Sequence, residues 1–382
     1  MLNPEQARIV DEGDGAVLVV AGPGSGKTRT LVHRVCRLIE RGESPESILL
    51  LTFTNKAARE MKGRAESLIG PRAAGITAGT FHHFANLLLR RHGREAGVPA
   101  NYTILDEEDS TSLLKQAVLQ HHESVKKGVV EGIGQAISLS RLRMCSIEEV
   151  LETPDFFRMR NHAEDIKAIA ESYSSLKKSM NVLDFDDLLC FAFGLLKNPA
   201  VGEYYHSRYK NILVDEFQDT DRLQAEIISL LHAPGSNLMA VGDDSQSIYS
   251  FRGAEIRNML EFRERYDARV FMLVRNYRST PPIVSLINSA MGGSSVRIEK
   301  QLLPVKESGA LPSAYEFLDR AGEADFIAGR IVSQLAEGRT IGVLFRAAYL
   351  ASELEVELAR RGVPYELRGG VRFFEQRHVK DL

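Results

Sequence analysis

The 382-residue chain has no tryptophan, only three cysteines and no long apolar run. Cys36, Cys145 and Cys190 are scattered, without CxxC or metal-ligand spacing, which suits a reducing cytosol better than a disulfide framework. All three read as buried fillers. No stretch approaches the ~20 apolar residues that span a bilayer. The N-terminal MLNPEQARIV has no basic region followed by an apolar core. The expectation is a soluble, cytoplasmic protein with no membrane partner. An excess of positive charge is missing too: the formal net charge is -3, so any nucleic acid must be met by a local basic groove. Internal repeats and low-complexity tracts are also lacking, and the length suits two or three domains, each with its own core.

What is present is a recurring strand signal. AVLVVAG, ILLLTFT, ITAGT, NILVDE, NLMAVGD, RVFMLV and TIGVLF are short apolar runs, each followed by helical periodicity. That alternation predicts an α/β fold with parallel sheet covered on both faces. After Thr28, Leu31, Val32, Val35, Cys36, Leu38 and Ile39 share one helix face that ends at Gly42. Between about Ala85 and Lys197 the strand signal lapses into helical segments, one opened by a capping box at Ser146 and Glu149. A second α/β unit is expected from Arg269, with Pro281 in the first turn of its helix. The expected division is residues 1–85 and 198–268 for a first lobe, 86–197 for a helical insertion, and 269–382 for part of a second lobe.

The stretch AGPGSGKTRT follows the first strand signal. Ala21, Gly22, Pro23, Gly24, Ser25, Gly26, Lys27 and Thr28 fit a phosphate loop, with alanine in place of its first glycine. Glycines let backbone N–H groups turn around an anion, the helix N-terminus adds positive potential, Lys27 brings a mobile charge and Thr28 a hydroxyl for magnesium. NILVDEFQDT places Asp215 and Glu216 at the carboxyl end of a buried strand, where open α/β sheets bind ligands. Asp215 suits a metal through water and Glu216 suits polarisation of an attacking water.

Together with LLLTFTNKAAREMKGR, TAGTFHHFA, LDFDDLL, VGDDSQSIYSFRGA and LVRNYRST, in this order and spacing, the chain resembles the UvrD/Rep/PcrA-like superfamily 1 DNA helicases. The resemblance implies a RecA-like lobe that binds ATP and Mg2+, with Gln6 reading adenine between Arg29 and Tyr277. It implies Lys27 and Thr28 at the phosphates and metal, Asp215 on the metal and Glu216 as general base. Gln246 would sense the γ-phosphate, and Arg278 would reach from the second lobe as an arginine finger. Phe53, Asn55, Lys56, His82, Tyr249, Phe251 and Arg252 would form the DNA side, with aromatic faces for bases and cations for phosphates. The family usually has Trp where this chain has Phe251. DFDDLL reads as an acidic helix N-terminus rather than a metal cluster.

The implied activity is ATP-driven 3'-to-5' translocation and unwinding, acting on single-stranded DNA and its junctions with duplex. GGVRFFEQRHVKDL resembles the segment before a large insertion in the second lobe, so the chain is expected to be an N-terminal portion that does not itself unwind. Two alternatives stand beside this: an ATP- and DNA-binding module without turnover, and the helicase part of a recombination nuclease.

Overall fold

A computed structural model of the chain describes residues 1–250, 253–292 and 298–368. Six parallel strands form its central sheet: β1 (Ala16–Ala21), β2 (Ile48–Thr52), β3 (Thr77–Thr80), β4 (Asn211–Val214), β5 (Asn237–Gly242) and β6 (Arg269–Leu273). Their order across the sheet is β3-β2-β4-β5-β1-β6. Both faces are buried, as the unbroken apolar runs require. Leu18, Val20, Leu49, Leu51 and Val214 pack on one side with the helices Phe81–His92 and Phe185–Leu196. Val17, Val19, Ile48, Leu50 and Leu213 pack on the other with Leu31, Val35 and Met61 from the helices Lys27–Glu40 and Asn55–Ile69. The carboxyl ends of β1 and β4 therefore open on the same edge, separated by β5.

The long interval between β3 and β4 is helical apart from a two-residue parallel pair, Thr103–Ile104 with Val182–Leu183. Helices Glu107–Leu119, Lys127–Leu142 and Ala163–Met180 enclose a separate core around Leu114, Ile133, Ile137, Ile166 and Ile169. Ser146 and Glu149 form the expected capping box, and Asp184 caps the helix Phe185–Leu196 with Asp187 completing the box.

Three expectations are corrected. The run RVFMLV joins the first sheet and not a separate one: Arg269–Leu273 pairs with β1, from Val17↔Arg269 to Ala21↔Leu273. β1 is apolar on both faces and would otherwise be a bare edge, so a further strand covers it. By compactness the chain divides into Met1–Ala310 and a unit from Leu311 onward. TIGVLF is not a strand. Among the described residues of that second unit there are helices but no strand, so the segment has no ladder partner and Leu344 is 98% exposed; helices Arg320–Ala336 and Ser352–Arg360 pack through Ala328, Ile331, Leu354 and Leu358. Of the cysteines only Cys36 is buried, Cys145 and Cys190 being half-buried. Among the described residues no helix is long and apolar enough to cross a membrane.

Candidate nucleotide and nucleic-acid site

β1 delivers the chain into a loop whose conformation needs glycine. Gly24 and Gly26 have φ of +67° and +86°, and a Cβ on Gly26 would lie 2.6 Å from Gln6 Nε2. The Ser25 hydroxyl donates to Gly22 O at 2.7 Å and closes the loop. The helix Lys27–Glu40 then starts from Gly26 with no side-chain cap, which leaves its first-turn N–H groups available to an anion.

Lys27 Nζ donates to Glu216 Oε2 at 2.8 Å, joining the loop to the end of β4. Glu216 is itself left-handed, at φ +51°, and Gln218 Nε2 donates to the same oxygen at 2.9 Å. Asp215 is 5% exposed, and its Oδ1 is buried without a hydrogen-bond partner. Desolvation, reinforced by the Glu216 charge, pushes its pKa up to about 7 against the opposing pull of Lys27. An enclosed carboxylate oxygen without a donor, in a cleft that a threonine also lines, fits a hard divalent cation. Thr28, Asp215, Glu216 and Gln246 line one cleft of about 430 Å³.

The residues expected at the base lie together at the loop. Gln6 is buried, N-caps its own helix together with Asn3, and donates from Nε2 to Ser25 O at 2.9 Å. Asn3 Nδ2 donates to the Tyr277 hydroxyl at 2.6 Å, and Tyr277 N to Gly24 O at 3.0 Å. Arg29 is exposed and bonds Met1 O at 2.8 Å. Arg278 has an exposed side chain, and its Cβ would stand 2.6 Å from a Cβ on Gly24. It belongs to the unit Met1–Ala310 together with the loop, and not to the unit from Leu311 onward. β6 carries the residues that precede Arg278 into the first sheet, which brings it beside the loop.

On the nucleic-acid side, Phe53 is 41% exposed with its ring centroid 5.0 Å from that of Tyr249. Both line the cleft of the phosphate residues and a larger one of about 800 Å³ that also receives His82 and Phe185. His82 meets Phe185 edge-on at 5.6 Å. Desolvation lowers its pKa to about 4, so at neutral pH it offers a ring face and no charge. Asn55 and Lys56 are exposed in the first turn of a helix capped by Thr54. Phe251 and Arg252 lie outside the described residues.

Four contributors escaped the sequence reading. Gln218 accepts from Asp243 N at 2.8 Å while holding Glu216. Asn276 Nδ2 donates to Pro23 O at 2.7 Å. Asp243 and Lys300 form an enclosed ion pair at 2.7 Å. Gln218, Asp243 and Asn276 sit inside quoted motifs and could have been found there; Lys300 carries no local signal.

A family model described as the UvrD/REP helicase N-terminal domain matches residues 2–267, and one described as the UvrD-like helicase C-terminal domain matches residues 271–382. An ATP-dependent DNA helicase PcrA from Staphylococcus aureus is 35% identical over 390 residues, taking in 100% of this chain and 52% of that protein. Its namesake from Staphylococcus epidermidis is 34% identical over 387 residues with the same shares. The chain thus spans about half the length of the curated relatives it matches. With the N-terminal family model alone taking in well over half of its residues, the chain belongs to the UvrD/REP helicase family.

Proposed function

We propose that this chain carries the ATP-hydrolysing site of an ATP-dependent DNA helicase, stimulated by single-stranded DNA and serving 3'-to-5' translocation in a longer protein. The observation that carries the reading is the Lys27–Glu216 contact beside the enclosed, partnerless Asp215 oxygen, in a cleft that also takes in Thr28 and Gln246. A structural ion pair needs neither the loop glycines nor an unsatisfied carboxylate next to it.

In this reading the loop from Ala21 to Gly26 and the N-terminus of the helix Lys27–Glu40 bind the β and γ phosphates of ATP. Lys27 neutralises them, and Thr28 and Asp215 would hold Mg2+. Bound magnesium would withdraw charge from the phosphate oxygens. Glu216 Oε2 accepts the proton of the attacking water once Lys27 turns from it to phosphate, and Gln218 keeps that carboxylate in place. Gln246 reports the γ-phosphate, Arg278 stabilises the charge that develops on it, and Gln6, Arg29 and Tyr277 hold the base. Phe53, His82 and Tyr249, with Phe251 and Arg252, receive single-stranded DNA and its junctions with duplex, and Asn55 and Lys56 meet its phosphates. Because motor stepping needs two lobes that open and close around ATP, duplex unwinding is assigned to the longer protein.

Steady-state ATP hydrolysis by the 382-residue chain, with and without oligo(dT), tests this. The expected result is turnover stimulated by the oligonucleotide and lost in both Lys27→Ala and Glu216→Gln. ATP binding without turnover, abolished by Lys27→Ala, would move the reading to the binding module. A chain that binds no ATP overturns it.

A further inference from the structure

The segment Ile298–Lys306 touches three parts of the nucleotide site. Its lysine Lys300 has a fully enclosed side chain that donates to Asp243 Oδ1 at 2.7 Å and also to Asp244 Oδ1. Ile298 N donates to Asp244 Oδ2 at 3.0 Å. Further along, Leu302 sits where a Cβ on Gly22 of the phosphate loop would collide with it. Lys306 Nζ then donates to Arg278 O at 2.7 Å. Asp243 is fully committed: Oδ1 takes Lys300 and Ser245 N, and Oδ2 takes Gln246 Nε2 at 2.6 Å. A carboxylate only accepts, so the Gln246 atom against it is the nitrogen, and one of its two hydrogens is left for another acceptor.

A buried ammonium is costly, and an enclosed ion pair is weak evidence for stability, since apolar residues of the same volume often do as well. What the ions add here is geometry. We propose that Lys300 is a positioning residue for Gln246: by clamping the Asp243 carboxylate it fixes the glutamine amide at the cleft, and so ties the position of the segment Ile298–Lys306 to the reading of the γ-phosphate. This rests on the reading of Gln246 as γ-phosphate reporter. Residues 57 apart in the chain are joined by a single bond in this way, and the phosphate loop, the reporter and Arg278 all lean on one strap.

The test compares wild type, Lys300→Met, Gln246→Ala and the double variant in the 382-residue chain. It measures kcat and KM for ATP, the ratio of ADP to ATP dissociation constants with magnesium present, and the unfolding midpoint. The expected result is a roughly 10- to 100-fold fall in kcat, or of the ADP/ATP ratio if the chain binds without turnover, with KM little changed. The double variant should be no worse than Gln246→Ala, because the lysine acts through the glutamine. Lys300→Met leaves two carboxylates without their cation and is expected to lower the midpoint. Asp243→Asn keeps the Lys300–Asp244 pair and should show the same loss of discrimination without that destabilisation. Losses that multiply in the double variant, or a shift of the midpoint alone with Asp243→Asn unaffected, overturn the inference and leave the site reading intact. A wild-type chain that binds neither nucleotide overturns the site reading and this inference with it.

Discussion

The phosphate side and the aromatic side of the first lobe meet at one cleft but are built from different materials. The phosphate side is backbone and half-buried charge: Gly24 and Gly26 at positive φ, an uncapped helix start, and Lys27 held to Glu216. The aromatic side is ring surface, with Phe53 exposed and His82 and Tyr249 half-buried, drawn from three separated segments: Phe53 meets Tyr249, and His82 meets Phe185. A site made of backbone conformation and one fixed charge pair tolerates little substitution, whereas a stacking surface should weaken by degrees. Phe53, Asp215, Glu216 and Tyr249 border both clefts, so the two sides share a wall.

The largest effect is expected on the phosphate side. Glu216→Gln removes the proton acceptor and keeps the size, and should lower kcat by ~10²–10⁴-fold with ATP affinity little changed. A fall in affinity matching the fall in kcat would make Glu216 a partner of Lys27 only.

Two enclosed acids sharpen the comparison next. Asp215 and Asp221 are both pushed up to about 7, by desolvation first. Asp221, however, accepts from Gln224 N at 2.8 Å and caps the helix Arg222–Leu231, while Asp215 Oδ1 has no partner. One is a cap and the other suits a ligand. The Asp221 pKa is raised, with Asp186 and Glu255 adding to burial. The folded chain therefore keeps its proton up to about pH 7 while the unfolded chain releases it near 4. Its contribution is complete below pH 4 and is lost as pH rises to 7. Asp221→Asn, which keeps a capping oxygen, should flatten that slope and be the more stable protein at pH 8, by on the order of 3 kcal/mol. Unfolding midpoints at pH 5 and 8 for both proteins decide it. Parallel slopes would show that Asp221 is already ionised at pH 5.

Much of this site was legible in the sequence, for reasons that differ between its sides. The loop, Lys27, Asp215 and Glu216 were readable because glycine conformation, a helix N-terminus and a buried strand end each constrain neighbouring residues. The grouping of Phe53, His82 and Tyr249 at one cleft was legible mainly through the family resemblance, helped by strand-end positions, since an isolated aromatic in a sequence is equally well explained as core. RVFMLV has the composition of a strand and is one, but periodicity says nothing about which edge a strand joins, and it joins β1. TIGVLF has strand composition and no ladder, and pairing is a property of the neighbour. Lys300 was invisible, since its carboxylate partners lie 56 and 57 residues away.

On the aromatic side the effects should be smaller and separable. Phe53→Ala and Tyr249→Ala should each weaken oligo(dT) binding by ~1–3 kcal/mol without altering ATP affinity measured in the absence of DNA. Their rings are in contact, so the double variant should lose less than the sum. Equal losses of ATP and DNA affinity would mean that the shared wall, and not stacking, is what these rings supply.

The smallest effect tests whether the helix Asn55–Ile69 meets phosphate at all. Lys56 is exposed in its first turn, where the helix end adds positive potential, and a solvated face is the plain alternative. A phosphate contact releases counterion, so Lys56→Ala should reduce the slope of log affinity against log salt by ~0.7 for a single strand. The loss should be uniform across base sequences, because a phosphate contact carries no base information. Titrations of oligo(dT) and a mixed-sequence strand at four salt concentrations measure both. An unchanged slope assigns Lys56 to solvent and leaves the binding of this side to its rings.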